Sequence, residues 1–183
     1  NVTYSDVQYD EANIDEYIKD VLSLEAVACK DWLTNKVDRS VTGKIARQQC
    51  QGEIQLPLSD CGVVSLDYKG KAGIATSIGH APQVALIDSA KGSVMAIAEA
   101  LTNISMTPII NGIKGLSLSA NWMWPCKNAG EDAALYRAVE ACSDFACSLG
   151  INIPTGKDSL SMTQKYGDKK VLSPGTVIIS AGA

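Results

Sequence analysis

Residues 115–162 read GLSLSANWMWPCKNAGEDAALYRAVEACSDFACSLGINIPTGKDSLSM, and hydrophobic periodicity changes twice within them. GLSLSANWMW alternates like a strand, with apolar residues on one side of a two-residue repeat. GEDAALYRAVEACSDFACSLG switches to a helical period: Leu135, Val139, Cys142 and Phe145 share a face, and Gly150 stands where a C′ stop belongs. INIPTGKDSLSM returns to a strand pattern. A strand, a helix and a strand in succession rule out an all-α or an all-β chain.

The rest of the sequence extends the same mixture. CGVVSLDY and GKAGIATSIG are two strand patterns joined by a short polar link with Gly70, which predicts a hairpin. A helix is expected from about Ser89 to Ser105, with Asp88 as its N-cap. Near the start, Ile14, Tyr17, Ile18, Val21 and Leu22 follow a 3.6-residue pattern after the cap candidate Asn13, and Leu24–Leu33 predicts a second helix. GTVIISAGA closes the sequence as a strand beyond the polar insert QKYGDKK, which suggests a piece of something longer or a strand completing a sheet. Because several strands are joined locally, the expected fold is α+β, a mixed or antiparallel sheet with helices on one face. Residues 1–36 are expected to form a helical lead-in or linker, and 37–183 the α+β domain.

Composition narrows the function classes. The chain has 183 residues, 46% hydrophobic and 20% charged, values typical of a globular protein. Its net charge of -4 and scattered 16 basic residues offer no nucleic-acid surface. No apolar run approaches bilayer length, so no membrane partner is expected. The six cysteines at 29, 50, 61, 126, 142 and 147 show no CxxC pairing. With His80 as the one histidine, a Cys/His zinc site is not expected. Unpaired thiols suit a reducing cytoplasm.

Chemistry-bearing residues stand out against this background. In AIAEALTNISMTP (96–108), Glu99 and Asn103 lie one turn apart. Val94, Ile97, Leu101 and Ile104 form the side expected to bury, while Gly92, Ala96, Glu99 and Asn103 fall opposite. A row of small residues lets something approach closely, and the Glu and Asn that end it offer oxygen ligands suited to a hard cation such as Mg²⁺ or Ca²⁺. Helical geometry alone favours the plainer alternative, an exposed glutamate and a helix-terminal asparagine. Asp60, just before an apolar strand in LPLSDCGVV, is a turn acid or a metal ligand. Lys157, Asp158 and Ser159 lie in TGKDSLS, which lacks the spacing of a phosphate loop. His80, after Gly79 at a strand end, reads as a structural histidine rather than a base.

DRSVTGKIARQQC, LPLSDCGVV, AEALTN, SANWMW, GEDAALY, GKDSLSM and SPGTVIISA, in this order, resemble segments of the phosphoribosylformylglycinamidine synthase family. The resemblance runs from about Leu22 to Ala183 without a large gap. It implies the first α+β unit of the second half of the synthetase region, similar to the N-terminal domain of aminoimidazole ribonucleotide synthetase and pairing through its sheet. It also implies an ATP-dependent ligase: ATP phosphorylates the amide oxygen of formylglycinamide ribonucleotide, and glutamine-derived ammonia displaces the phosphate to give the amidine.

Matched residue by residue, the resemblance places Mg²⁺ ligands at Asp60, Glu99 and Asn103 and a nucleotide contact through the Ser59 backbone. It suggests substrate or phosphate contacts at Lys157, Asp158 and Ser159. The family's metal cluster also draws an aspartate from a later domain, and its glutaminase cysteine and histidine belong to another domain. Neither is in this sequence, so no cysteine here takes the nucleophile's role and the fragment alone is expected to be inactive. Partners are then the remaining synthetase and glutaminase domains, and a homodimer of the fragment is a further one. The alternative function is a non-catalytic assembly module with a structural nucleotide–metal site. A free-standing aminoimidazole ribonucleotide synthetase-like enzyme is disfavoured, because the domain that would close its site is not in this sequence.

Overall fold

A computed structural model describes residues 8, 13–24, 27, 43–48, 50–55 and 60–183. Its elements run α1 (Ile14–Ser23), β1 (Ile45–Arg47), β2 (Cys61–Ser65), β3 (Gly73–His80), α2 (Pro82–Ile87), α3 (Ser89–Ile104), β4 (Ser117–Met123), α4 (Glu131–Leu149), β5 (Asn152–Ser159), β6 (Thr163–Tyr166), β7 (Lys169–Leu172) and β8 (Thr176–Gly182). A 3₁₀ turn at Gly112–Gly115 precedes β4. The expected α+β class holds. Apart from Leu24 and Val27, the second helix expected at Leu24–Leu33 lies outside the described residues, as does the nucleotide contact expected at Ser59.

Among the described residues six strands form one sheet in the order β1-β2-β3-β8-β4-β5. Only β4 and β5 are parallel, because α4 carries the chain back between them; the other neighbours are antiparallel. Strand alternation divides the sheet into two faces. Ala75 and Ser77 on β3, Leu118 and Ala120 on β4, and Val177, Ile179 and Ala181 on β8 are buried. Their neighbours in sequence point to the other face, where Ile74 and Ile78 remain exposed. Helix α3 covers the buried face, lying on β3 and β8 and touching α2 and α4.

Local chemistry explains the boundaries. The β2–β3 hairpin turns where Asp67 Oδ1 accepts from the backbone N–H of Lys69 (2.7 Å) and Gly70 (2.9 Å). Asp88 caps α3 as expected, its Oδ1 accepting from the N–H of Ala90 (3.0 Å) and Lys91 (3.1 Å). Asp88→Ala should therefore destabilise the fold by about 1 kcal/mol, read as a lowered urea midpoint with unchanged slope. Gly150 ends α4 at φ 69°, a left-handed conformation that a Cβ would strain, and its N–H bonds back to Ala146 and Cys147.

Three local expectations need correction. Helix α4 buries Ala134, Ala138, Cys142 and Ala146, an i, i+4 stripe of small residues, while Val139 is exposed. The close approach of α3 is the reason: Ser93 Oγ donates to Ala138 O at 2.8 Å, a distance that bulky residues at the contact would prevent. QKYGDKK, read as an insert, falls within a β6–β7 hairpin turned at Gly167. The short helix α2, opened by Pro82 in its first turn, is not in the sequence reading.

The row Gly92–Ala96 is corrected too. Gly92 and Ala96 are both buried, so they leave no room for a nucleotide. A Cβ at Gly92 would sit 2.5 Å from that of Ala85 on α2, and a Cβ at Gly79 would sit 2.2 Å from Ala96 O. The small residues let protein backbone approach α3. Since α3 is enclosed by the sheet, α2 and α4, it buries most of its circumference rather than one stripe.

Candidate functional site

Strands β2 and β3 pair from Ser65–Gly73 to Cys61–Ser77, and there β2 begins. Strand β3 continues for three more residues, Ile78 to His80, pairing on its other side with Ser180, Ile179 and Ile178 of β8. The edge of β3 that faced β2 is therefore open at Ile78 and His80. Glu99 and Asn103 close it. Glu99 Oε2 accepts from the His80 backbone N–H at 2.6 Å, and Asn103 Nδ2 donates to Ile78 O at 2.9 Å. The i, i+4 spacing on α3 matches the two-residue step between outward groups on β3, so one helical face completes the ladder.

Each side chain thereby commits one polar atom and leaves another. The second carboxylate oxygen of Glu99 and Asn103 Oδ1 take no partner among the described residues. The hydrogen bond through Nδ2 also fixes which end of the Asn103 amide is free. Glu99 is part-exposed, and the His80 imidazole Nδ1 lies 3.9 Å from its Oε2 with both side chains in solvent, a pair that adds little stability. Asp60 is exposed and immediately precedes β2. Extending the antiparallel register by one residue from Cys61–Ser77 sets it opposite Ile78, the residue Asn103 holds. By that register Asp60 shares the face of Ile78, away from α3, while Glu99 and Asn103 reach the same end of the β2–β3 pair from the helix side.

The donor set is all oxygen, suited to a hard divalent cation. Among the described residues no group of three or more His, Cys, Asp or Glu side chains is placed to hold a metal ion. An ion here would fill its shell with water or phosphate oxygens, as Mg²⁺ commonly does.

Lys157, Asp158 and Ser159 stand apart from this corner but at the same end of the sheet. The pairings His80–Ile178, Ile178–Asn121 and Asn121–Lys157 run in one row across four strands. At about 4.8 Å per strand the row separates His80 and Lys157 by about 14 Å. Lys157 Nζ donates to Ser159 Oγ at 2.7 Å, and alternation sends Asp158 to the opposite face. Asp158 instead joins Asp132 and Glu131 near Cys126, whose thiol is pushed up first by burial and then by these charges. Asn121, which the sequence analysis did not single out, lies between Ile178 and Lys157 in the row with its Oδ1 buried and unpartnered among the described residues. The strand pattern of SANWMW carried no signal for that.

Residues 29–183 match the model of the FGAR-AT PurM_N-like domain. The chain belongs to this family. It is 43% identical over 171 residues to human phosphoribosylformylglycinamidine synthase, a match that covers 93% of the chain and 13% of the human protein. The domain thus spans about an eighth of the length of that relative. Among solved structures, it shares its fold with PurLQS from Thermotoga maritima at a TM-score of 0.60 and 16% identity, over 85% of this chain and 23% of that one. Thermotoga maritima PurL complexed with ADP aligns at a TM-score of 0.53 and 15% identity, over 68% of this chain and 19% of that one. Among the described residues no helix is long and apolar enough to cross a membrane.

Proposed function

We propose that this domain belongs to a larger phosphoribosylformylglycinamidine synthase and contributes part of an ATP–Mg²⁺ site to it. The observation that carries the reading is the paired commitment of Glu99 and Asn103 to the end of β3, which leaves an oxygen of each free at the strand end where β2 stops. In this reading Asp60, Glu99 and Asn103 hold Mg²⁺, and the Ser59 backbone meets the nucleotide. Bound there, the ion would neutralise phosphate charge and fix phosphate orientation. The protein's own part is to hold these oxygens at the corner, while Lys157 and Ser159, about 14 Å along the sheet, face the phosphate-bearing end of the substrate.

The full enzyme would convert formylglycinamide ribonucleotide, with ATP and glutamine-derived ammonia, to the amidine. Its remaining synthetase and glutaminase domains would complete the site and supply the ammonia. The free thiols of Cys61, Cys126, Cys142 and Cys147 fit a cytoplasmic setting. The relatives' names and the ADP-bound PurL fold support this assignment.

Calorimetric titration of ADP–Mg²⁺ into the full-length enzyme tests it. Glu99→Ala with Asn103→Ala should weaken binding about ten- to a hundredfold. Unchanged affinity at this site would remove both residues from the ligand set.

A second reading rests on a separate observation, the exposed apolar residues Ile74 and Ile78 on the sheet face that none of the described helices covers. The domain would act chiefly in assembly, pairing through this face with a second synthetase unit or another copy, while the nucleotide–metal site stays structural. Sedimentation of the fragment discriminates: a strict monomer at high concentration counts against sheet-to-sheet pairing.

A further inference from the structure

We propose that Gly79 positions the ligand oxygens of Glu99 and Asn103 without touching the ion or the nucleotide. The inference rests on the metal-site reading above.

Helix α3 crosses β3 directly over Gly79. A Cβ built there would lie 2.2 Å from Ala96 O, 2.4 Å from Ala100 N and 3.1 Å from Ala100 Cα. All three are backbone atoms of the helix, so no side-chain rotation relieves the clash. The helix would have to lift by on the order of 1 Å to restore ordinary contact. Ala96 and Ala100 bracket Glu99, and Asn103 follows one turn from it, so the lift acts where both ligands are rooted. The hydrogen bonds to His80 N–H and Ile78 O, at 2.6 and 2.9 Å, would stretch toward or beyond hydrogen-bond range.

Those two bonds set ligand geometry. They hold the Glu99 carboxylate and the Asn103 amide in one orientation and leave a defined oxygen of each free. Without them both side chains regain rotamer freedom that ion binding must then remove. A buried bond from Ser77 Oγ to Ala100 O, 2.7 Å long, fastens the same seam from the β3 side. Gly79 and Ser77 thus build one close contact whose product is the placement of two oxygens a turn away.

The test uses the full-length enzyme, Mn²⁺ as the probe in the presence of ADP, and the loss of the free-Mn²⁺ electron paramagnetic resonance signal as readout. Gly79→Ala should weaken Mn²⁺ binding roughly tenfold, the scale expected when a ligand's orienting partner is lost. Gly175→Ala supplies the control, because a Cβ there would meet the Trp124 ring at 2.2 Å, away from the corner. It should leave Mn²⁺ affinity within about twofold while costing stability. Ser77→Ala loosens the seam without a clash, and should weaken binding by roughly threefold even if Gly79→Ala fails to fold.

If Gly79→Ala or Ser77→Ala binds Mn²⁺ as the wild type does while Glu99→Ala with Asn103→Ala does not, the positioning role is wrong and the metal-site reading stands. If Glu99→Ala with Asn103→Ala binds normally, both fall. Equal losses in Gly175→Ala and Gly79→Ala would reduce the effect to general destabilisation and overturn the proposal.

Discussion

Ile97→Ala should lower the stability of the domain by about 3 kcal/mol, within the 2–5 kcal/mol range for truncating a buried isoleucine. Ile97 is fully buried on α3 and belongs to the main core cluster with Ala75, Ala100, Ile104, Leu118 and Ile179. Its neighbours include Ala96 and Ala100, which already lie against the β3 backbone and leave α3 little freedom to settle into the gap. The cavity should therefore remain largely open, and the cost should exceed the transfer term alone. Val139→Ala is the matched comparison. Val139 is 43% exposed on α4, and its truncation should cost no more than about 0.5 kcal/mol. Urea unfolding of both variants checks the pair, and similar midpoints would mean that α3 is not the centre of the core.

The second large effect is on pH dependence. Burial against α3 and the sheet pushes the Cys142 thiol up to about 11, from an ordinary value near 9.0. The folded state therefore keeps its proton at pH values where the unfolded chain has released it. Between about pH 9 and 11 the native state binds more protons than the unfolded one, so stability falls as pH rises. Below pH 9 both states are protonated and the contribution is complete. A shift of about two units corresponds to on the order of 3 kcal/mol lost across that window. Other groups titrate there too, so the wild type must be compared with Cys142→Ala. The wild type should lose about 2–3 kcal/mol more than the variant between pH 8.5 and 11. Parallel losses would show that this thiol is not buried in the native state.

These predictions concern features that differ in how plainly the sequence announced them. The Asp88 cap, the Gly150 stop, the β2–β3 hairpin and the strands at 117–123 and 176–182 were legible, because each depends on residues within a few positions of one another. The packing face of α4 was not. Large apolar residues marked Leu135, Val139 and Phe145, but close helix–helix contact selected the smaller Ala134, Ala138, Cys142 and Ala146. The same physics reversed the reading of Gly92 and Ala96. Small residues announce close approach, and a single sequence does not say whether the visitor is a ligand or the protein's own backbone.

The candidate site was legible in part for similar reasons. The i, i+4 spacing of Glu99 and Asn103 was plain in AEALTN, and so was the oxygen character of the pair. Their bonds to His80 N–H and Ile78 O were not, because those depend on β2 beginning at Cys61, three residues short of the end of β3. The sequence reading placed His80 at a strand end as a structural residue. The structure gives its backbone a partner in Glu99 and leaves its imidazole in solvent. The row that links His80 to Lys157 across four strands also requires the strand order, in which β8 is inserted between β3 and β4.

The central claim is that Glu99 and Asn103 turn their free oxygens to a divalent ion at the corner of β2 and β3. The most direct measurement is anomalous diffraction from crystals of the full-length enzyme grown with ADP and Mn²⁺. The account predicts a Mn²⁺ peak at magnesium-like distances, about 2.1 Å, from a Glu99 carboxylate oxygen and Asn103 Oδ1, with Asp60 facing the same ion. A fully occupied Mn²⁺–ADP complex elsewhere, with this corner holding only the hydrogen bonds to His80 and Ile78, would contradict it.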